Sequence, residues 1–414
     1  MISNTNSSTK RILVQAYACE PNEGSEPGVG WYMCQAIARN NETWVITRKN
    51  NRECIENELK TNPNPNLNFV YTDLPKWLSF WKKGGRGIRT YYYLWQFAAL
   101  LKARYLLKKH KFDIAHHVTF VNDWMFSSFC LLPLPFVWGP IGSNPKAPAT
   151  LVHSRLIFIK DRLRYSFQSF MRIIDPFFWV CCIKSDLTIG LSKEVGQKFP
   201  ISLLSKNKYL NHTAIGVEGI FNINQEKSGK HILSIGKLLP VKAFHLTIDA
   251  FHQAHSIEPD LKLTIMGKGP LKSFLIEKCE NLGISSSVTF IDWSPRNEVL
   301  AAMNKSDVFL FPSFEGGGMV VLEAMANGLP VVCLNYGGPG EMVNSKLCKA
   351  VNISDYKTTV AELSRSILSS VKQDTQIYKD IQQWVYDNYL WSKRHHTIDS
   401  WYTQALKQNK TIKQ

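Results

Sequence analysis

Short apolar runs recur along the chain, and each is followed by a longer stretch whose apolar positions return at three- and four-residue steps. Runs rich in β-branched and aromatic residues predict strands, and the longer stretches predict helices that cover them. In the first half the strands are RILVQAY (Arg11 to Tyr17), TWVIT (Thr43 to Thr47), LNFVY, DIAHHV, PFVWGPI and DLTIGLS. In the second they are HILSIGK (His231 to Lys237), LKLTIMG, SVTFIDW, DVFLFPS (Asp307 to Ser313) and PVVCLN. Strand and helix in alternation is the pattern of an α/β protein with parallel sheets. A chain of 414 residues exceeds what one core supports. The expectation is therefore two Rossmann-like, doubly wound parallel-sheet domains, residues 1–205 and 206–390, followed by a terminal helix over 391–414. The junction is expected near 200–225, where polar EKSGK precedes a new first strand. No repeat at a solenoid period is visible, and no low-complexity stretch beyond the polar first ten residues.

Between DVFLFPS and a helical sequence, Glu315 and Glu323 bracket the run EGGGMVVLE. A glycine cluster at a helix start leaves backbone N–H groups pointing outward, where they can hold a phosphate. Two carboxylates gain nothing from a bare phosphate, but they suit a ligand that also carries sugar hydroxyls. That combination points to a nucleotide-sugar. The plainer alternative makes Glu323 a first-turn acid favoured by the helix dipole and Glu315 a solvated loop residue.

The ungapped string FEGGGMVVLEAMANGLPVV resembles the E, seven residues, E signature of the retaining glycosyltransferases of family four, the group 1 glycosyltransferases of GT-B type. The resemblance implies two domains facing a cleft, with a terminal helix crossing back to the first. It makes the first domain acceptor-binding and the second nucleotide-sugar-binding. Glu315 would then meet sugar hydroxyls, Glu323 ribose hydroxyls, and the backbone around Gly317, Gly318, Met319 and Val320 the diphosphate. Family members often place another residue among the glycines, whereas here Gly316, Gly317 and Gly318 are consecutive.

Other segments extend the likeness. SIGKLLPVKAFHLTIDAF resembles the strand and loop that place Lys237 and Lys242 on the diphosphate, with Lys237 where many members have Arg. Charge grows on the leaving diphosphate during transfer, and two cations beside a helix start stabilise it. SEPGVGW looks like a variant of the family's glycine-bearing loop after the first strand, which implies substrate contacts at Gly28 and Gly30. By itself its G-x-G is weak evidence for a dinucleotide site; the third glycine is missing, and TWVIT ends at Arg48 where an acidic ribose ligand would stand. DIAHHVTFVNDW offers His117, with His116 as second choice, for the reacting end of the donor; neighbours on a strand point to opposite faces, so one of them at most enters a site. AIGVEGIF resembles the loop opening the second domain, FIDWSP the nucleobase segment, YLWSKRHHTIDSWYTQAL the returning helix, and NYGGPGEMV, with Gly337, Gly338 and Glu341, a lid on the sugar pocket. No D-x-D pair is present. The expectation is a transferase without metal or other cofactor, the lysines standing in for an ion.

The formal net charge is +16. Much of it falls between Lys76 and Lys111, where Lys82, Lys83, Arg86, Arg89, Lys102, Arg104, Lys108 and Lys109 interleave with Trp77, Phe80, Trp81, Tyr91, Tyr92, Tyr93, Trp95 and Phe97. A second such stretch is HSRLIFIKDRLRYSFQSFMRIIDPFFW. Basic and aromatic residues together suit an anionic membrane surface. The competing reading is ordinary helices with aromatics turned inward. Nucleic acid is not an expected partner, since no recognition fold or arginine-rich tail accompanies the charge. The nine cysteines show no C-x-x-C pair, which suits a reducing compartment. The polar N-terminus does not resemble a signal peptide, and neither apolar stretch, WMFSSFCLLPLPFVWGPI nor MRIIDPFFWVCCI, reads as a membrane span. The expected protein is cytoplasmic, or peripheral at the inner face of the plasma membrane. It would move a sugar from a nucleoside-diphosphate sugar to a carbohydrate or lipid-linked acceptor in surface polysaccharide, lipopolysaccharide or glycolipid synthesis. A nucleotide-sugar epimerase of the same fold and a non-catalytic sugar-nucleotide-binding protein are the alternatives.

Overall fold

A computed structural model describes residues 9–82, 84–221 and 227–413. The first eight residues, Lys83 of the basic run and Glu226 of EKSGK lie outside these. The chain divides into two compact units: residues 1–143, 168–215 and 391–414 form the first, and residues 144–167 and 216–390 the second. The strand pattern does not give this division, because 144–167 contains no strand; its Ala147 and Leu151 are buried in the second unit's core.

The first unit holds β1 (Arg11–Ala16), β2 (Glu42–Thr47), β3 (Leu67–Tyr71), β4 (Ile114–Thr119), β5 (Phe136–Ile141), β6 (Leu187–Gly190) and β7 (Tyr209–Asn211). All pair in parallel in the order 3-2-1-4-5-6-7, with Leu13 of β1 opposite Trp44 on one side and Ala115 on the other. Every residue of β4 and β5 is buried, as expected of central strands covered on both faces. The second unit holds β8 (His231–Ile235), β9 (Lys262–Met266), β10 (Val288–Ile291), β11 (Val308–Phe311), β12 (Val331–Leu334) and β13 (Lys349–Val351), parallel in the order 10-9-8-11-12-13. The two strands missing from the sequence pattern, β7 and β13, are three-residue edge strands, too short for an apolar run.

Each order reverses at one place, between β1 and β4 in the first sheet and between β8 and β11 in the second. Loops leaving neighbouring strands there turn to opposite faces, and a crevice opens at the strands' carboxyl ends. These two places are where ligand sites belong.

Helix Arg394–Lys413 is part of the first unit. Its Ile398, Trp401, Tyr402 and Ala405 are buried there. Asn40 and Asn41 donate to the Asp399 carboxylate, and Asn409 donates to Asp186. The basic aromatic run separates by burial: Tyr91, Tyr92 and Trp95 on helix Ile88–Lys109 are core residues, whereas Trp77 and Phe80 are 71% and 78% exposed. Among the described residues no helix is long and apolar enough to cross a membrane.

Candidate functional site

Strand β8 ends at Ile235, and the chain passes through Gly236 and Lys237 before turning back at Lys242. The Lys242 stem runs over Gly236, where a Cβ would stand 3.2 Å from its Cε, so a side chain at 236 would displace the lysine. Across the switch point, β11 ends at Phe311 and leads to Ser313 and Glu315. The two loops are tied together: Phe314 N–H donates to Val241 O at 2.8 Å, and the single Ser313 hydroxyl proton lies within reach of both Val241 O and Glu315 Oε2. Lys242 Nζ reaches Glu315 Oε2 at 2.5 Å and lies 4.9 Å from the Phe311 ring centre. An ammonium has three donors. Glu315 takes one, so the pair leaves Lys242 able to bind an anion as well. Lys237 is exposed on the same loop, and its ammonium has no partner among the described residues.

Beyond Glu315 the glycines lead into helix Met319–Ala326. Gly318 has φ +127°, and a Cβ there would meet Pro339 Cγ at 2.9 Å, so this position requires glycine. Gly317 differs, since a Cβ added to it meets nothing within 4 Å. Gly316 N–H is held by Asn144 Oδ1 at 3.0 Å. The first bond of the helix runs from Val321 N–H to Gly318 O, leaving the N–H groups of Met319 and Val320 as first-turn donors. Helix Gly337–Met342 packs behind this loop, with Gly338 N–H bonded to Glu315 O.

Glu323, on the same helix, pairs with Arg296 at 2.7 Å, and Arg296 also approaches Glu218 at 3.4 Å. Arg296 opens helix Arg296–Lys305, directly after the FIDWSP segment. The sequence reading missed it. The signal available was its place one residue beyond FIDWSP, but pairing with a carboxylate 27 positions away leaves no local pattern. Lys242, Glu315, the glycine loop and the Met319 helix thus come together at the β8/β11 switch point. Beside them a cavity of about 330 Å³ is lined by Val152, His153, Ile157, Leu239, Val241 and Phe314.

Residues 218–384 match the family described as glycosyl transferases group 1. The match lies wholly within the second unit. A GDP-mannose-dependent alpha-(1-6)-phosphatidylinositol monomannoside mannosyltransferase of Mycolicibacterium smegmatis is 28% identical over 172 residues, 39% of this chain and 45% of that relative. Curated relatives are matched over 27% to 52% of their own lengths. Among solved structures, the lipopolysaccharide outer core galactosyltransferase WaaB superposes with TM-score 0.60 at 14% identity, covering 97% of this chain and 99% of that one. Anabaena Alr3699/HepE, solved with UDP and glucose, gives TM-score 0.53 at 16% identity over 94% and 98%. The fold is therefore that of the GT-B glycosyltransferases: two parallel-sheet α/β units and a helical C-terminus.

The first unit's expected residues lie around its own switch point. Gly28 and Gly30 are not in a loop, as the sequence suggested, but inside helix Ser25–Ala38. A Cβ at Gly28 would meet Glu23 O at 2.1 Å, and one at Gly30 would meet Ala18 O at 2.0 Å. Close packing of the helix on the preceding loop accounts for both glycines. His116 and His117, on β4, are buried, and both rings are bonded: His116 to Tyr402 Oη and Gly139 O at 2.8 Å each, His117 to Gln15 Oε1 at 3.0 Å and Phe120 O at 3.4 Å. Burial holds both imidazoles neutral, depressing His116 to about 4 and His117 to about 3. Sequence reasoning also passed over Glu26 in SEPGVGW. Its carboxylate accepts from Val121 N–H beyond β4, and desolvation raises it to about 7.

Proposed function

We propose that the protein is a retaining glycosyltransferase that moves a sugar from a nucleoside-diphosphate sugar to a hydroxyl of a carbohydrate or lipid-linked acceptor. The observation that carries this reading is the Lys242–Glu315 pair set beside the Gly318 loop and the Met319 helix start at the second sheet's switch point. The loop and helix N–H groups, with Lys242 and Lys237, hold the diphosphate. Glu323, oriented by Arg296, accepts ribose hydroxyls. Glu315 accepts sugar hydroxyls while keeping Lys242 in place. In transfer, the bond from the anomeric carbon to the diphosphate oxygen breaks and one to the acceptor oxygen forms. The acceptor's proton is released, and the charge that grows on the diphosphate is met by the lysines and the helix end.

The lysines and helix end supply the charge stabilisation that a metal would otherwise bring, so transfer is metal-independent, with no cofactor beyond the donor. The relative that acts on a phosphatidylinositol glycoside, together with the chain's +16 charge, supports an acceptor presented at an anionic membrane.

Thermal shift against a panel of nucleoside diphosphates, followed by anomeric analysis of the product in EDTA, tests the reading. A ligand at a hundredfold its dissociation constant adds about 2.7 kcal/mol of stability. No shift with any nucleoside diphosphate refutes the donor site, an inverted product refutes retention, and loss of transfer in EDTA restored by Mg²⁺ refutes metal independence.

A further inference from the structure

Helix Arg155–Ile174 carries apolar residues on the side where a surface helix is ordinarily polar. Leu156, Ile159, Leu163, Phe167, Phe170 and Ile174 follow one another at three- and four-residue steps and form a single stripe, and each is between 42% and 69% exposed. Scattered exposed hydrophobics are ordinary, but a contiguous stripe about 30 Å long is not. The charges sort around it. Arg155 and Lys160 are exposed at its two margins. The helix's one acid, Asp161, is turned to the opposite side, where it accepts from Ala147 N–H and pairs with Arg164 at 2.8 Å. Arg162 and Arg164 likewise donate inward, to Ala147 O and Pro145 O. The outer face is therefore apolar with basic margins and no carboxylate.

We propose that this helix lies flat in the headgroup layer of an anionic bilayer, its stripe in the acyl boundary and Arg155 and Lys160 on lipid phosphates. The inference rests on the membrane-presented acceptor proposed above and names the element that meets the membrane. An amphipathic helix of this kind buries its apolar face about 5–10 Å deep, and basic side chains at its margins extend to the phosphates. A protein partner with a matching apolar groove would not require both margins to be basic, whereas an anionic lipid surface does.

Co-sedimentation of the full chain with phosphatidylglycerol-rich and with pure phosphatidylcholine vesicles tests this. The wild type is expected to pellet with the former. Leu156→Glu/Leu163→Glu is expected to lower the partition constant at least about tenfold, since both side chains leave the acyl boundary. Both positions are exposed, so an unchanged melting temperature and unchanged nucleoside diphosphate binding accompany the loss. Arg155→Glu/Lys160→Glu is expected to remove the salt-sensitive part of the binding, and Trp77→Ala/Phe80→Ala to leave the stripe's share intact. The proposal is overturned by wild-type binding in the Leu156/Leu163 variant, by no pelleting of the wild type, or by a wild-type dimer that this variant dissociates, which would show a second copy covering the face. Nucleotide binding is read separately: its absence in a protein that still pellets would defeat the donor site and leave the membrane helix standing.

Discussion

Lys242 and Glu315 act on each other before either meets a ligand, and this shapes what their substitution does. Lys242→Ala removes a charge-assisted donor to the diphosphate and is expected to weaken nucleoside diphosphate binding by about 1.5–3 kcal/mol by calorimetry, with the fold intact. Glu315→Gln leaves Lys242 without its counter-charge but free for phosphate. Its nucleotide affinity should not fall while turnover does, and a loss of affinity equal to that of Glu323→Gln would show that the two carboxylates share one role. Arg296 gives a sharper case. If it orients Glu323, Arg296→Ala and Glu323→Gln are strongly non-additive in nucleotide affinity, and a double-mutant cycle measures this directly. The glycines divide as well. Gly318→Ala forces a side chain into φ +127° and against Pro339 and should cost about 1–3 kcal/mol, whereas Gly317→Ala meets open space and should leave the denaturation midpoint nearly unchanged.

At the scale of elements, helix Arg394–Lys413 is held by polar as well as apolar contacts. Tyr402 Oη bonds to His116 Nδ1 at 2.8 Å inside the first unit. Tyr402→Phe keeps the packing but leaves the imidazole nitrogen buried without a partner, an expected loss of about 1–3 kcal/mol in chemical denaturation. A loss near zero would mean that water reaches His116. The same contact explains why the His116/His117 pair was hard to judge from sequence. Strand periodicity places the two rings on opposite faces, but what each face meets depends on a helix almost 300 positions away, and here the two faces are equally enclosed.

Across the whole molecule, the buried titratable groups set the response to acid. His116, His117, His212 and His245 are held neutral by burial, with folded values near 4, 3, 4 and 4. The unfolded chain protonates them as pH falls through about 6.5, and the folded chain does not, so stability present above that pH is lost progressively below it. Glu26 works in the opposite sense: it is raised from 4.5 to about 7, so the folded form holds a proton through that window and gains stability as pH falls. The four histidines outweigh Glu26, and the denaturant midpoint is expected to drop between pH 7 and pH 5; a flat or rising midpoint would contradict the buried, neutral histidines. The class of fold was legible in the residues because parallel strands covered on both faces must be continuous apolar runs, and a loop between strand and helix shows its glycines and carboxylates in sequence. The pairing of Lys242 with Glu315, 73 positions apart, the seat of Arg296 against Glu323, and the enclosure of both histidines were not legible. Nor was the transfer of residues 144–167 to the second unit. A local pattern fixes which face of an element is apolar. Which partner that face meets, or how far it stays exposed, as on helix Arg155–Ile174, depends on the order in which the strands assemble, and only the folded chain decides that.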